Sequence, residues 1–364
     1  MQTFADIFGT GFAVAADAPG RVNLIGEHTD YNGGYVLPTV IPQRTRVELV
    51  PRPDATVRVW SANVDDAHRM QQFVLGRESQ TRTWIDYVQG VTVALRQRGL
   101  HLRGVDMRIE STVPVGSGLS SSAALEVSVA RALRTAFDLH LDDVELAMAG
   151  KWAENEFVGA PTGIMDQMVV SLGTAGSALF LDTRSLHFDR VPLPSSAELV
   201  VIDSGVRHRI VSGEYATRRA QCEEASRRLG VHELRDVPLA NLPSVEALEE
   251  PYRRRARHVV TEDERVLQAV AALRADDPAQ VGELFYASHA SMRDDYEVSV
   301  PQVDALVEIA SSEREVYGAR LTGGGFGGSI VVLTRRGSGR AVAERVAQRY
   351  HAEIGETPTI LLPV

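Results

Sequence analysis

The stretch Gly20-Arg21-Val22-Asn23-Leu24-Ile25-Gly26-Glu27-His28-Thr29-Asp30-Tyr31-Asn32-Gly33-Gly34 places the tightest demand on how this chain can fold. Val22, Leu24 and Ile25 carry it into the interior as a strand. Glu27, His28, Asp30, Tyr31 and Asn32 then arrive almost back to back, and Gly33-Gly34 lets the chain turn where a Cβ would clash. A run that enters as buried strand and leaves as a dense set of donors and acceptors suits a polar ligand held at a strand end. A solvated turn after a strand would give the same pattern, so the decision falls to other parts of the chain.

A second stretch, Pro114-Val115-Gly116-Ser117-Gly118-Leu119-Ser120-Ser121-Ser122-Ala123-Ala124, follows a period-two strand at Val105–Glu110 and precedes Leu125, Val129 and Leu133 at helical spacing. Strand, glycine loop, serine cluster and buried helix together make an anion site. The first amides of a helix have no partners inside it and lie at the positive end of its dipole. Glycines let a polyphosphate approach the backbone, and hydroxyls supply donors or a Mg²⁺ ligand. One serine and one glycine would be enough for an ordinary capped helix, and here there are three consecutive serines and two close glycines. The third stretch, Leu321 to Ser329, has five glycines in the six positions 323–328. A turn needs one or two, so close backbone approach to a ligand or to another segment is the alternative. Glu154 on an expected helix and Asp166 after a glycine-containing turn complete the set. Two carboxylates near a phosphate loop suit a Mg²⁺ ligand and a base, and each alone also suits a surface helix or an N-cap.

The remaining sequence excludes several classes. The 364 residues leave room for two domains, and 44% apolar with 24% charged residues is an ordinary globular composition. A net charge of −10 and a pI near 5.5 argue against nucleic-acid and anionic-membrane partners. Lys151 is the only lysine, and Trp152 follows Gly150-Lys151, so a Walker-type phosphate loop is absent. The single cysteine, Cys222, leaves no intrachain disulfide and suits a reducing cytoplasm. No signal-peptide pattern and no apolar run of about 18 residues are present. Strands are expected at Arg44–Pro51, Thr56–Ser61, Ser177–Asp182, Leu186–Val191, Leu199–Asp203, Ile330–Leu333 and Thr359–Leu362. Helices are expected at Trp84–Leu95, Leu141–Val158 (with Asp142 as cap), Glu214–Leu229 and Glu262–His289, and a further helix just before the third glycine stretch.

Taken together, these stretches resemble the GHMP kinases and, within them, the galactokinases. The run from Gly20 to Gly34 resembles the galactokinase signature throughout, Pro114–Ala124 the second family motif and Leu321–Gly328 the third. Ala153–Gly159, Gly163–Gln167, Arg254–Val260 and Ser288–Ser299 extend the resemblance over essentially the whole chain. It implies transfer of a phosphoryl group from ATP, with Mg²⁺, to the anomeric hydroxyl of α-D-galactose, giving galactose 1-phosphate and ADP. By resemblance Asp166 is the catalytic aspartate, as a general base or an orienting charge, with Arg21 beside it. Ser122 and Glu154 match the Mg²⁺ positions, with Ser121 as the near alternative. Glu27, His28, Asp30, Gly163, Asp166 and Tyr215 match the sugar site. Gly116, Ser117, Gly118, Leu119, Ser120, Ser121, Ser122 and Ala123 match the ATP site. Trp84 and Tyr87 fall where the family packs adenine, or form one turn of core aromatics. Some relatives sense galactose without turnover and are expected to have lost part of the serine cluster, which is intact here along with Arg21 and Asp166.

The implied fold is α+β with two GHMP kinase lobes, 1–193 and 194–364. The first has a mixed sheet with helices and the second an antiparallel sheet with helices, with the active site in the cleft. The implied partners are galactose and ATP, with neither nucleic acid nor membrane, in a cytoplasmic monomer or weak homodimer.

Overall fold

The computed structural model describes residues 2–206 and 212–361. In chain order its elements are α1 (Phe4–Phe8), β1 (Val14–Asn23), β2 (Tyr35–Val36), β3 (Pro38–Pro51), β4 (Thr56–Ser61), β5 (Met70–Val74), α2 (Ile85–Gln97), β6 (Val105–Ser111), α3 (Ser121–Ala136), α4 (Asp143–Trp152), α5 (Met165–Leu172), β7 (Ser177–Asp182), β8 (Phe188–Pro192) and β9 (Ala197–Asp203). There follow α6 (Ser212–Leu229), α7 (Leu242–Glu246), α8 (Tyr252–Arg274), α9 (Pro278–Asp294), α10 (Pro301–Ser311), β10 (Val316–Thr322), β11 (Ser329–Arg335), α11 (Gly339–Ile354) and β12 (Thr359–Leu361). No described helix is long and apolar enough to cross a membrane.

Two compact units divide the chain, and each is discontinuous. The first holds the residues up to Arg21, Ile41–Val115 and Leu119–Leu172; the second holds Val22–Val40, Gly116–Gly118 and the residues from Gly173 onward. This differs from the single boundary at 193/194 expected from the sequence. The reason is strand pairing over long separations, which ties Tyr35 to Asp182 and Thr39 to Ala178.

In the first unit β6 is flanked by β3, antiparallel from Thr45↔Ser111 to Pro51↔Val105, and by β4, parallel from Val57↔Val105 to Ser61↔Ile109. β5 continues antiparallel from β4, and β1 pairs with β3, so the sheet is mixed. The period-two alternation puts Val47, Leu49, Val57, Val59, Val105, Met107 and Ile109 in one core with α2 and α3. Each fully buried side chain of this kind contributes ~1.5–3 kcal/mol. α4 begins with a reciprocal capping box: Glu145 N donates to Asp142 Oδ1 and Asp142 N to Glu145 Oε2, both at 2.8 Å. The helix expected to run unchanged to Val158 instead widens into a π-helical turn over Ala153–Val158. Such turns re-aim side chains and are frequent at functional sites.

In the second unit β10, β11, β9 and β12 form an antiparallel sheet in that order, with Ile330↔Ile202 and Leu321↔Ile330 in register. β2 and β8 each pair antiparallel with β7. Val200, Ile202, Ile330 and Val332 share a core with Tyr296, Leu306, Val342 and Tyr350. The helical region expected at Glu262–His289 is two helices, because Pro278 cannot continue the α8 ladder and Asp277 restarts the chain by accepting from Gln280 N at 3.0 Å. The third glycine stretch does not link a helix to a strand. β10 intervenes, so the glycines form the turn of a β10–β11 hairpin. The last strand ends at Leu361, and Leu362 lies outside the described residues.

Candidate active site

In the first unit the site is assembled from β1 inward. A Cβ on Gly20 would lie 2.9 Å from Leu119 O, and the Arg21 N–H donates to that carbonyl at 3.2 Å. Only glycine lets β1 approach the serine loop this closely. Arg21 then reaches Asp166 on the first turn of α5, with Nε donating to Oδ1 at 2.9 Å and Nη2 2.7 Å from the same oxygen. The Arg21 side chain is 5% exposed and that of Asp166 26%, so the carboxylate is the accessible partner. Ser120 Oγ donates to Asp166 Oδ2 at 2.5 Å. Ser120 holds this position in the left-handed region at φ 60°, a conformation that costs a non-glycine residue ~1–2 kcal/mol.

Glu154, the second residue of the π-helical turn, is buried. Its Oε2 accepts from Gln167 Nε2 at 2.7 Å and from Thr162 Oγ1 at 3.0 Å, and Ser122 also bonds to the carboxyl. Burial pushes the Glu154 carboxyl up, and the charge of Asp166 adds to the effect. Asn155 fixes Thr162, donating to its carbonyl at 3.1 Å and accepting from its N–H at 3.2 Å, and buried Gly163 follows. The structure thus brings together Arg21 with Asp166 and Ser122 with Glu154. Sequence reasoning missed Thr162 and Gln167, and took Ser120 as a phosphate donor alone. Thr162 and Gln167 flank the expected residues Gly163 and Asp166, and this adjacency was the available signal. Trp84 and Tyr87 stand at the start of α2. The Trp84 indole donates to His68 O at 3.3 Å and its ring packs on the core. Tyr87 is half-buried, and burial with the Glu154 charge pushes its hydroxyl up to about 12.

In the second unit the polar cluster of the opening stretch lies among aromatic rings. His28, itself left-handed at φ 64°, has Nδ1 2.8 Å from Tyr31 Oη, which lies 2.7 Å from Tyr296 Oη. Tyr215 on α6 joins them, its ring centroid 5.4 Å from His28 and 5.3 Å from Tyr31. Burial, followed by the charge of His258, lowers the His28 pKa to about 3, so its ring is neutral. Among the described residues His28 Nε2 is buried without a well-formed hydrogen bond, the Gly324 backbone being its near polar neighbour. Asp30 starts a short 3-10 turn and accepts from Tyr31 N at 3.0 Å.

Glu27 is 2% exposed, and both its oxygens already have partners. Oε1 accepts from Gly323 N at 3.0 Å, and Oε2 pairs with Arg320. Burial pushes its carboxyl up, against the pull of Arg320. Arg320 is fully buried and also donates to Leu24 O at 2.9 Å. Thr322 Oγ1 donates to Asn23 O at 2.9 Å and accepts from Asn23 N at 3.1 Å. The β10–β11 hairpin is therefore bolted to the end of β1 and to the turn beyond it that carries Glu27. Its glycines are needed for backbone approach: Gly325 has φ 84°, and a Cβ there would lie 2.4 Å from Val298 O. Gly116 and Gly118 of the second stretch share with Tyr215 and Gly324–Gly328 the lining of one cavity of about 70 Å³. Ser117 O accepts from Ser329 Oγ at 3.0 Å, which fixes the second stretch to the third.

Residues 86–174 match the GHMP kinases N terminal domain, residues 269–352 GHMP kinases C terminal, and residues 2–51 the galactokinase galactose-binding signature. The chain is 46% identical over 366 residues to a galactokinase of Roseiflexus sp. (strain RS-1), covering 99% of this chain and 93% of that one. It is 48% identical over 338 residues to a galactokinase of Chloroflexus aurantiacus, covering 91% and 86%. Its fold is similar to that of Lactococcus lactis galactokinase complexed with galactose, with a TM-score of 0.94 at 33% identity over 99% of this chain and 95% of that one.

Proposed function

The chain belongs to the galactokinase family of the GHMP kinases, and from this we infer that it transfers the γ-phosphoryl group of ATP to the anomeric hydroxyl of α-D-galactose. The observation that carries the chemistry is Asp166, accessible, paired with Arg21 and hydrogen-bonded by Ser120. Phosphoryl transfer depends mainly on positioning and charge stabilisation. Asp166 accepts or orients the proton of the attacking hydroxyl, while Arg21 fixes the carboxylate and offers a cation to the transferring group. Glu27, His28, Asp30, Gly163 and Tyr215 form the sugar set in this reading. Neutral His28 supports it, because a buried imidazole nitrogen lacking a good partner gains one from a sugar hydroxyl. The second glycine stretch and the first turn of α3 take the phosphates, and Trp84 and Tyr87 the adenine side.

Mg²⁺ fits Ser122 and Glu154. The two offer hard oxygen donors already in contact, and an ion shared with a nucleotide takes few protein ligands. When bound, the ion neutralises charge on the phosphates. We assign the enzyme to the cytoplasm, where the thiol of Cys222 stays reduced, as a monomer or weak homodimer. Coupled ADP release across galactose, its C4 epimer and its deoxy derivatives tests the reading. Galactose-dependent turnover is expected, and binding of galactose and ATP without turnover would overturn it in favour of a sensor.

A further inference from the structure

Behind Glu154 lies a second carboxylate that the reaction above does not use. Glu126 on α3 is fully buried. Gln167, also fully buried, links the two: its Nε2 donates to Glu126 Oε2 at 3.0 Å and to Glu154 Oε2 at 2.7 Å. One amide nitrogen thus commits both its N–H groups to two acid side chains. The arrangement is close-packed. A Cβ on Gly150 would lie 3.1 Å from Gln167 Cγ and 3.3 Å from Glu126 Cβ, so neither side chain has room to swing on that side. Among the described residues Glu126 Oε1 and Gln167 Oε1 have no hydrogen-bond partner. A buried unpaired polar atom costs ~1–3 kcal/mol, and an apolar pair would fill the same space without that cost. Packing alone therefore does not account for Glu126. On the far side, Glu154 Oε2 carries the Gln167 and Thr162 donors together, which fixes the plane of its carboxylate.

We propose that Glu126 is a positioning residue for Glu154, acting through the Gln167 amide, and that it thereby sets how tightly the site holds the divalent cation accompanying the nucleotide. The inference rests on the reading of Glu154 as a cation-side residue. Groups behind a metal ligand fix its orientation, and their loss weakens metal affinity by ~10–100-fold. Glu126 supplies the acceptor that anchors one N–H of the amide. Without it one N–H of the amide loses its acceptor, and nothing among the described residues holds the other N–H aimed at Glu154.

The test is binding of a non-hydrolysable ATP analogue to the full chain, by calorimetry, across a Mg²⁺ or Mn²⁺ series. Galactose binding without nucleotide is measured alongside. Glu126→Leu removes the acceptor and is expected to raise the cation concentration for half-saturation about tenfold or more, with the galactose Kd within about twofold of the parent. Glu126→Gln keeps a carbonyl oxygen for the same N–H and is expected to stay within about threefold of the parent. An unchanged cation requirement in Glu126→Leu, or an equal loss in Glu126→Gln, overturns the proposal. Should Glu126→Leu fail to fold, Gln167→Met carries the test from the other end: the same shift is expected, and no shift overturns the proposal. Glu154→Gln separates the two levels. If it too leaves the cation requirement unchanged, the reading of Glu154 has failed. If it alone shifts the requirement, only the role of Glu126 has failed.

Discussion

Asp166 has both carboxylate oxygens engaged before any substrate arrives, Oδ1 by Arg21 and Oδ2 by Ser120. That pre-organisation separates its role from that of Glu154, a buried carboxylate held by an amide and hydroxyls. Replacing Asp166 with Ala is expected to lower kcat by ~10²–10⁴-fold while leaving nucleotide binding intact, read by coupled ADP release and by calorimetry. Near-parental turnover would remove Asp166 from the chemistry. Ser120→Ala leaves Arg21 in place and removes one hydrogen bond to a charged group, worth about 1.5–3 kcal/mol. If that bond orients Asp166 in the transition state, kcat falls about ten- to a hundredfold with little change in the galactose KM. A loss confined to the ATP KM would instead make Ser120 a phosphate donor alone. Neither residue's effect could be ranked from the sequence, in which Ser120, Ser121 and Ser122 are adjacent and alike. The loop geometry separates them, turning Ser120 to Asp166 and Ser122 to Glu154.

At the scale of elements, the tight turn Gly33-Gly34 is held against α8. Asp263 Oδ1 accepts from Tyr35 N at 2.8 Å, and a Cβ on Gly34 would lie 2.3 Å from that oxygen. Glycine is required there for closeness, in addition to its freedom of turn. Burial pushes the Asp263 carboxyl up to about 7, and its Oδ2 lacks a hydrogen bond among the described residues. An unfolded aspartate titrates near ~3.9. Between that value and about 7 the folded chain therefore binds more protons at this site than the unfolded chain, and its contribution to stability falls as pH rises through the window. Asp263→Asn keeps an acceptor for Tyr35 and removes the buried charge. Its Tm relative to the parent is expected to be clearly higher at pH 8 than at pH 5, and an equal difference at both would place the titration elsewhere. The π-helical turn at Ala153–Val158 is a second case in which an element departs from its sequence pattern. Apolar spacing predicts one helix there, and the extra residue per turn carries Glu154 at its start.

For the whole molecule, function and stability are linked through ligand binding. A ligand that binds only the folded state stabilises it by RT ln(1 + [L]/Kd), about 2.7 kcal/mol at a hundredfold excess over Kd. Galactose is expected to raise Tm in the parent, and Asp30→Ala to reduce that shift at equal galactose concentration. An undiminished shift would remove Asp30 from the sugar set. Much of this protein was legible in its sequence. The strands at Thr56–Ser61 and Ser177–Asp182, the cap at Asp142 and the helix after the serine cluster all follow from signals spanning a few residues. The family motifs are of the same local kind, since a left-handed glycine or a helix N-terminus is specified by its immediate neighbours. What packing decided was partnership. Arg21 meets Asp166 across 145 positions, and Glu27 meets Arg320 across 293. Gln167, which ends a family-like run but has no assigned role there, joins two buried carboxylates. β10 carries no strand signature in the sequence because its last five residues are all buried, which erases the alternation that marks a half-exposed strand. Local chemistry thus determined which donors, acceptors and tight turns each stretch offers. Only the folded chain decided which oxygen faces which donor, because that choice depends on strand register and core packing between segments with no proximity in sequence.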